Sequence, residues 1–404
     1  MATSHDQAVR ARSPGQDPDD PYPPVATLAQ RIRPATHLDF QGYSTPRDGA
    51  LSTAPADAPL RRLDLNEGPA APPELVEEWL ERLKVRALHV YPDEHASTLR
   101  AAVAGHVGVE PDQVAVGAGS VQLYQAVPLA FAGPGRTALV FTPTYGAYFP
   151  TVRSTGTRIL ARPLGRSARR FDAMPWLAAE TGADLVICCS PNNPTGEVIP
   201  NDVIADLCAA TDGIVMVDEA YGEFGSSNAT ALLPRFPNLI VTGSTSKAFS
   251  LAFLRAGWAT ARAEITSVLA KVQTPWHISG PAELAATLAL TTYRDEIAAN
   301  VKDVMRERDR LAVELPRIHG VEEVLPSEGN FVAFRTSRPA TDTWAELLAM
   351  GIQIRNLSHI MEDPNYLRVS VTNIAADTDA FMRALAEVLG GGALGGPRSP
   401  RPSG

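Results

Sequence analysis

The fold of this chain is most constrained by apolar runs that end at residues able to carry chemistry. Ala138-Leu139-Val140-Phe141 leads into Pro143-Thr144-Tyr145-Gly146-Ala147-Tyr148. Leu185-Val186-Ile187-Cys188-Cys189 leads into Ser190-Pro191-Asn192-Asn193-Pro194-Thr195-Gly196, and Ile214-Val215-Met216-Val217 into Asp218-Glu219-Ala220-Tyr221. Short apolar runs without polar alternation, bounded by turn residues, predict strands buried on both faces. Segments of helical periodicity alternate with strands along the chain, among them Pro73–Leu88, Gln122–Phe131 and Ile297–Leu315. That alternation predicts an α/β fold with a mainly parallel sheet flanked by helices. Such sheets bind ligands outside the carboxyl ends of their strands, where the polar residues fall here. The expected large domain spans 91–290. Residues 64–90 and 291–389 are expected to form a smaller α+β domain.

Three loops carry the chemistry. Lys247, within Ser244-Thr245-Ser246-Lys247-Ala248-Phe249 and followed by Arg255, suits a Schiff-base amine beside a phosphate pocket. Taken alone, the segment also describes many solvated loops. Asn193 sits before Pro194, which restrains it, so its carboxamide is aimed from a rigid turn. An ordinary strand-to-helix loop has similar composition. Asp218 closes its apolar run and can pair with a protonated ring nitrogen, with Tyr221 in reach of the same ring. A lone Asp in that place is otherwise a helix cap or a metal ligand.

Taken together, Ser-Pro-Asn-Asn-Pro-Thr-Gly, Val-Asp-Glu-Ala-Tyr and Thr-Ser-Lys-Ala-Phe with its following Leu-Arg-Ala-Gly resemble the class I/II pyridoxal-phosphate aminotransferases. They look most like the histidinol-phosphate aminotransferase group. The resemblance runs from about Asp64 to Leu389 and implies a fold-type I homodimer with shared active sites. It implies pyridoxal 5'-phosphate carried on Lys247 as a Schiff base. Asn193 and Tyr221 would contact its ring oxygen, Asp218 its ring nitrogen, and Ser244 and Arg255 its phosphate. The Gly117-Ala118-Gly119-Ser120-Val121 turn, opening a helix, offers backbone N–H groups to that phosphate through Gly119, Ser120 and Val121. Family members usually carry acidic residues where Val121 and Gln122 stand.

Further matches imply that Tyr145 stacks on the ring and that Tyr91 reaches the phosphate of the neighbouring subunit's cofactor. Packing is the commoner fate of such tyrosines. Arg368, in Tyr366-Leu367-Arg368-Val369-Ser370-Val371, matches the guanidinium that grips a substrate α-carboxylate, although a strand arginine also serves surface ion pairs. Asn330 resembles a loop residue near that carboxylate, and Arg355 the arginine binding the far end of a phosphorylated side chain. The departures are expected where substrate sits: Phe253 in place of glycine, which should alter local packing, with Trp276 and His277 in place of an aromatic followed by asparagine. Val371-Thr372-Asn373 likewise replaces a usual Gly-Thr ending.

The function these matches imply is ping-pong amino-group exchange between an amino donor and a 2-oxo acid, with 2-oxoglutarate and glutamate as the second pair. Lys247 would move the α-proton. A decarboxylase, lyase or oxidase using the same cofactor remains an alternative on this scaffold. A non-catalytic ligand sensor is the third reading; the expected basic DNA-reading helices are missing from the proline-rich N-terminal sequence.

Composition narrows the classes further. With 36 basic and 45 acidic side chains there is no basic footprint for nucleic acid. No apolar stretch approaches the length of a membrane span. The 3 cysteines cannot build a disulfide framework, which suits a reducing cytoplasm, and no Cys/His spacing suggests zinc. Residues 1–63, rich in proline and poor in apolar runs, without the pattern of a secretory signal, are expected to form a disordered arm, and 390–404 a mobile tail.

Overall fold

The computed structural model describes residues 60–165, 169–226 and 228–390. Its strands are β1 (Arg61–Leu63), β2 (Val114–Gly117), β3 (Thr137–Thr142), β4 (Arg158–Pro163), β5 (Leu185–Cys189) and β6 (Ile214–Asp218). They continue with β7 (Leu239–Ser244), β8 (Gly257–Thr260), β9 (Val321–Val324), β10 (Phe331–Thr336), β11 (Ile352–Asn356) and β12 (Tyr366–Ser370). These make two mixed sheets. The seven-stranded one runs β2-β8-β7-β6-β5-β3-β4 and the five-stranded one β1-β11-β12-β10-β9. In the large sheet β7, β6, β5, β3 and β4 are parallel, while β8 is antiparallel to both β7 and β2.

The three apolar runs become β3, β5 and β6 for the reason their sequence suggests: helices cover both faces of the parallel region. Leu185, Ile187 and Cys189 face one apolar core with Leu123, Val127 and Leu269. Val186 and Cys188 face the other with Met174, Ile204 and Leu207. Both faces being dry, every residue of β5 is buried. Asp218 is the last residue of β6, the middle strand, with Cys189 ending β5 and Ser244 ending β7 on either side. The polar ends of three adjacent strands therefore meet at one edge of the sheet.

The small sheet begins earlier than expected. Arg61–Leu63, placed by composition in the disordered arm, pairs in parallel with β11, Arg61 opposite Ile352 and Leu63 opposite Ile354. Leu63 is buried in the core, and the Arg61 guanidinium holds Asp377 at 3.0 Å. Three alternating residues are too few for periodicity to register. The rest of the arm and residues 391–404 lie outside the described residues.

Helix positions follow the periodicity, with shifted ends. The helix expected over Pro73–Leu88 closes at Lys84. Apolar spacing continues through Val85 and Leu88, but both are exposed, and among the described residues no core covers them. The helix opened by the glycine turn starts at Ser120, and the long helix at Arg294, before the expected Ile297. Its acidic first turn, Asp295 and Glu296, suits the positive end of the helix dipole.

Candidate active site

A cavity of about 340 Å³ opens at the carboxyl edge of the large sheet. Its wall includes Ser120, Val121, Tyr145, Asn193, Asp218, Tyr221, Ser244, Lys247, Arg255, Arg355 and Arg368. The apolar strands fix their own ends, and the loops that follow carry these side chains to one place.

Lys247 lies in the loop after β7. Its Nζ donates to the Leu65 carbonyl at 2.8 Å and lies 5.7 Å from the centre of the Tyr221 ring. Burial, then the nearby Arg368 guanidinium, pulls the ammonium pKa down to about 7, so much of the amine is uncharged and nucleophilic at neutral pH. Glu67, on the same wall, opposes that shift.

Asp218 is fully enclosed. Its Oδ2 accepts from Tyr124 at 2.6 Å and from Tyr148, and its Oδ1 from the Ala220 N–H at 3.0 Å and Thr242 at 3.2 Å. Burial raises the carboxyl pKa, and these donors oppose the rise by favouring the anion.

The Tyr221 hydroxyl accepts from Asn66 at 3.0 Å and Asn193 at 3.2 Å. Asn193 Oδ1 in turn accepts from the Arg368 guanidinium, whose other arm reaches the Asp64 carbonyl at 2.6 Å. The Tyr145 ring packs edge-on to Tyr148, centroids 5.4 Å apart.

Gly119 and Arg255 form a tight corner. Gly119 has φ +76, and a Cβ there would lie 2.4 Å from Arg255 Nη2, so only glycine admits the guanidinium against this turn. Arg255 itself takes φ 59, a costly conformation for a side chain of that size, and donates to Ser246 at 3.2 Å and to the Ala252 carbonyl at 2.9 Å. The helix Ser120–Phe131 begins in the same corner with no side chain capping its first N–H groups, and such a helix start suits an anion.

Other sequence-chosen residues lie off the wall. Asn330 is fully buried behind it, donating to the Asn66 and Glu67 carbonyls at 3.2 Å each. Tyr91 is 75% exposed and stacks on Trp276, with centroids 4.6 Å apart. The departures do not shape this cavity either. Phe253 is 93% exposed, so its ring enters no packing among the described residues, contrary to expectation. His277 Nε2 lies 2.8 Å from the Val116 carbonyl.

The segment Asp64–Gly68 lines the cavity through Asp64, Leu65 and Glu67, and the sequence did not reveal it. Asn66 takes φ 52, is wholly buried, and exchanges hydrogen bonds with Ser370. A Cβ on Gly68 would lie 2.0 Å from the Lys247 carbonyl oxygen, so the strap lies directly on the lysine loop. No local pattern announces such a contact. Tyr124 and Tyr148 were also missed as site residues, though Tyr124 sits three residues after the glycine turn and Tyr148 closes the quoted Pro143–Tyr148 segment. Among the described residues no His/Cys/Asp/Glu group could hold a metal ion, and no helix is long and apolar enough to cross a membrane.

Residues 62–389 match the family described as aminotransferase class I and II. A histidinol-phosphate aminotransferase of Frankia casuarinae is 35% identical over 387 residues, covering 90% of this chain and 94% of that relative. The histidinol-phosphate aminotransferase of Sinorhizobium meliloti, solved in complex with pyridoxal-5'-phosphate, superposes with a TM-score of 0.77 at 22% identity, covering 89% of this chain and 98% of that one. The L-threonine-O-3-phosphate decarboxylase of Porphyromonas gingivalis has a TM-score of 0.71 at 23% identity, covering 81% and 99%. At those identities the last two speak for the fold alone.

Proposed function

Because the chain belongs to the class I and II aminotransferase family and is a pyridoxal-phosphate-dependent aminotransferase, we propose that it moves an amino group from histidinol phosphate, or a related amine or amino acid, to a 2-oxo acid, with 2-oxoglutarate and glutamate as the second pair. The observation that carries this reading is a buried, partly uncharged Lys247 amine sharing one cavity with the Asp218 carboxylate and the guanidinia of Arg255, Arg355 and Arg368.

The cavity fits the cofactor at both ends. The corner of Gly119, Ser120, Val121, Ser244 and Arg255 would hold its phosphate, since the glycine leaves room and the donors converge. Asp218 would hold a proton on the ring nitrogen, Asn193 and Tyr221 would hold the ring oxygen, and Tyr145 would cover a ring face. When bound, the cofactor supplies an aldehyde that takes up the amino group and a ring that absorbs electrons as the α-proton leaves.

This chain's own part is to bind, orient and move protons. Lys247 Nζ would take the proton from the substrate α-carbon and later give one back, as general base and then acid. Its lowered pKa leaves it able to do both near neutrality. Arg368 would grip the α-carboxylate of glutamate in two-pronged fashion. Arg355, whose Nη1 is buried without a hydrogen-bond partner among the described residues, would take the phosphate of a phosphorylated substrate. Asn330 would act at one remove, by holding the Asn66–Glu67 backbone.

We assign the working form to a homodimer in which Tyr91 serves the neighbouring site. The exposure of Leu88, Val90 and Tyr91, the last covered only in part by Trp276, supports this. Three free, buried cysteines suit the cytoplasm.

The test is a panel of amino donors offered to cofactor-loaded protein, with keto-acid formation and amino-group transfer to 2-oxoglutarate as readouts. Phosphorylated donors should lead. Release of carbon dioxide or ammonia without amino exchange would overturn the reading in favour of a decarboxylase or lyase on the same scaffold.

A further inference from the structure

We propose that Tyr124 and Tyr148 are positioning residues for Asp218, Tyr148 as its standing hydrogen-bond donor and Tyr124 as a donor that yields its place to the cofactor's ring nitrogen. The inference rests on the assignment of Asp218 to that nitrogen and extends it to two tyrosines, of which Tyr124 borders the same cavity and Tyr148 does not.

A carboxylate offers about four lone-pair directions. Here four donors already converge on it: Tyr124, Tyr148, the Ala220 N–H and Thr242. A ring N–H arriving at Asp218 therefore displaces one of them.

The donors differ in what they could do instead. The Ala220 N–H is fixed by backbone at the turn after β6, and the wholly buried Thr242 hydroxyl has no second hydrogen-bond partner among the described residues. Tyr148 and Tyr124 are both fully buried, with rings edge-to-face and centroids 5.1 Å apart, and of the two only Tyr124 borders the cavity. Tyr124 has a second acceptor waiting, the Ser120 Oγ at 2.8 Å, in the turn that opens the helix both residues share. Turning that O–H toward Ser120, with the hydroxyl shifting off Asp218 beside the cavity it borders, moves its proton and frees a lone pair for the ring N–H. Ser120 also lines the phosphate corner, so the same hydroxyl links the two ends of the site.

The consequence for Asp218 is direct. Burial favours its neutral form, and a neutral carboxyl cannot hold a ring proton. Removing the Tyr148 donor leaves burial with less opposition and lets the carboxyl group rotate.

The test compares the affinity of cofactor-free, full-length protein for pyridoxal phosphate with that for its 1-deaza analogue, which has carbon where the ring nitrogen was. Wild type should prefer pyridoxal phosphate about tenfold or more, the range of a buried hydrogen bond to a charged group. Tyr148→Phe should bring that preference close to unity while leaving analogue affinity unchanged. Tyr124→Phe should hold it within about threefold of wild type, because its donor is already surrendered in the complex. Equal weakening toward both ligands in Tyr148→Phe would mark a merely structural residue and overturn the proposal. So would an unchanged preference in that variant, or a preference lost equally in Tyr124→Phe. A wild type with no preference would sink the assignment of Asp218 itself, which separates the two failures. Should Tyr148→Phe not fold, 3-fluorotyrosine at position 148 keeps the shape and sharpens the donor. The preference should then rise, and a fall or no change would overturn the proposal.

Discussion

The two ends of the cavity are prepared differently. Around Asp218 every hydrogen-bonding direction is filled by protein donors in the absence of any ligand. Around Arg355 a guanidinium nitrogen is buried with no partner among the described residues. The first arrangement is preorganised and holds its geometry unaided. The second is incomplete until an acceptor arrives, so its energy is recovered on binding rather than on folding. Chemistry common to a family belongs at the first kind of site, and selectivity among substrates at the second.

Lys247→Ala puts the heaviest load on this contrast. Losing the general base should cost about a thousandfold or more in kcat, with melting temperature nearly unchanged, since the amine makes one hydrogen bond to a carbonyl. Keto-acid formation by the purified variant checks it, and turnover above about one part in a hundred of wild type would remove Lys247 from its role.

Asp218→Ala comes next and should hurt on both counts. Transamination should fall by about a hundredfold, and stability should fall too, because the Tyr148 hydroxyl loses its buried acceptor at about 1–3 kcal/mol while Tyr124 keeps Ser120. A variant as stable as wild type in thermal melts would contradict the description of this end as preorganised.

Arg355→Ala should do the reverse of that. We expect KM for a phosphorylated donor to rise about ten- to a hundredfold while the ligand-free protein keeps its stability, because one charge-assisted contact is lost only in the complex. Steady-state kinetics with phosphorylated and unphosphorylated donors decide it; an equal loss for both would place Arg355 elsewhere in the mechanism.

The smallest effect is on pH. Cofactor-free Lys247 should acylate with a midpoint near pH 7, well below the 10.5 of an ordinary lysine. In the unfolded chain the amine keeps its proton up to 10.5, and in the folded protein it loses it near 7, so the unfolded state binds more protons across that window. The Lys247 contribution to stability thus improves as pH rises from about 7 to 10.5. Comparing wild type with Lys247→Met isolates this from Glu219, whose buried carboxyl is pushed up to about 8 and acts with opposite sign. Identical pH slopes for the two proteins would contradict it.

Much of the first end is legible in the sequence. Lys247, Asp218, Tyr221, Asn193 and Arg255 lie beside strands whose apolar runs are local and unmistakable, so position along the chain translates into position at the sheet edge. The second end is less legible. Arg368 and Arg355 come from strands of the small sheet, and their pairing across β11 and β12, where the two face each other, is a matter of register. Asn330 illustrates the limit: its loop is recognisable, yet it supports the strap from behind instead of lining the wall. Phe253 shows the opposite error, since a bulky residue matters only where something surrounds it.

By itself the sequence determined the parallel sheet, the strand ends that bear reactive groups, and the kind of cofactor chemistry those groups suit. These depend on short-range facts: runs of apolar residues, turn residues, and side chains a few positions apart. Tertiary structure alone decided that Asp64–Gly68 lies across Lys247 and that two tyrosines converge on one carboxylate oxygen. Such contacts join segments as much as 182 residues apart, as Leu65 and Lys247 are. Their partners are chosen by packing in three dimensions, which no local pattern encodes.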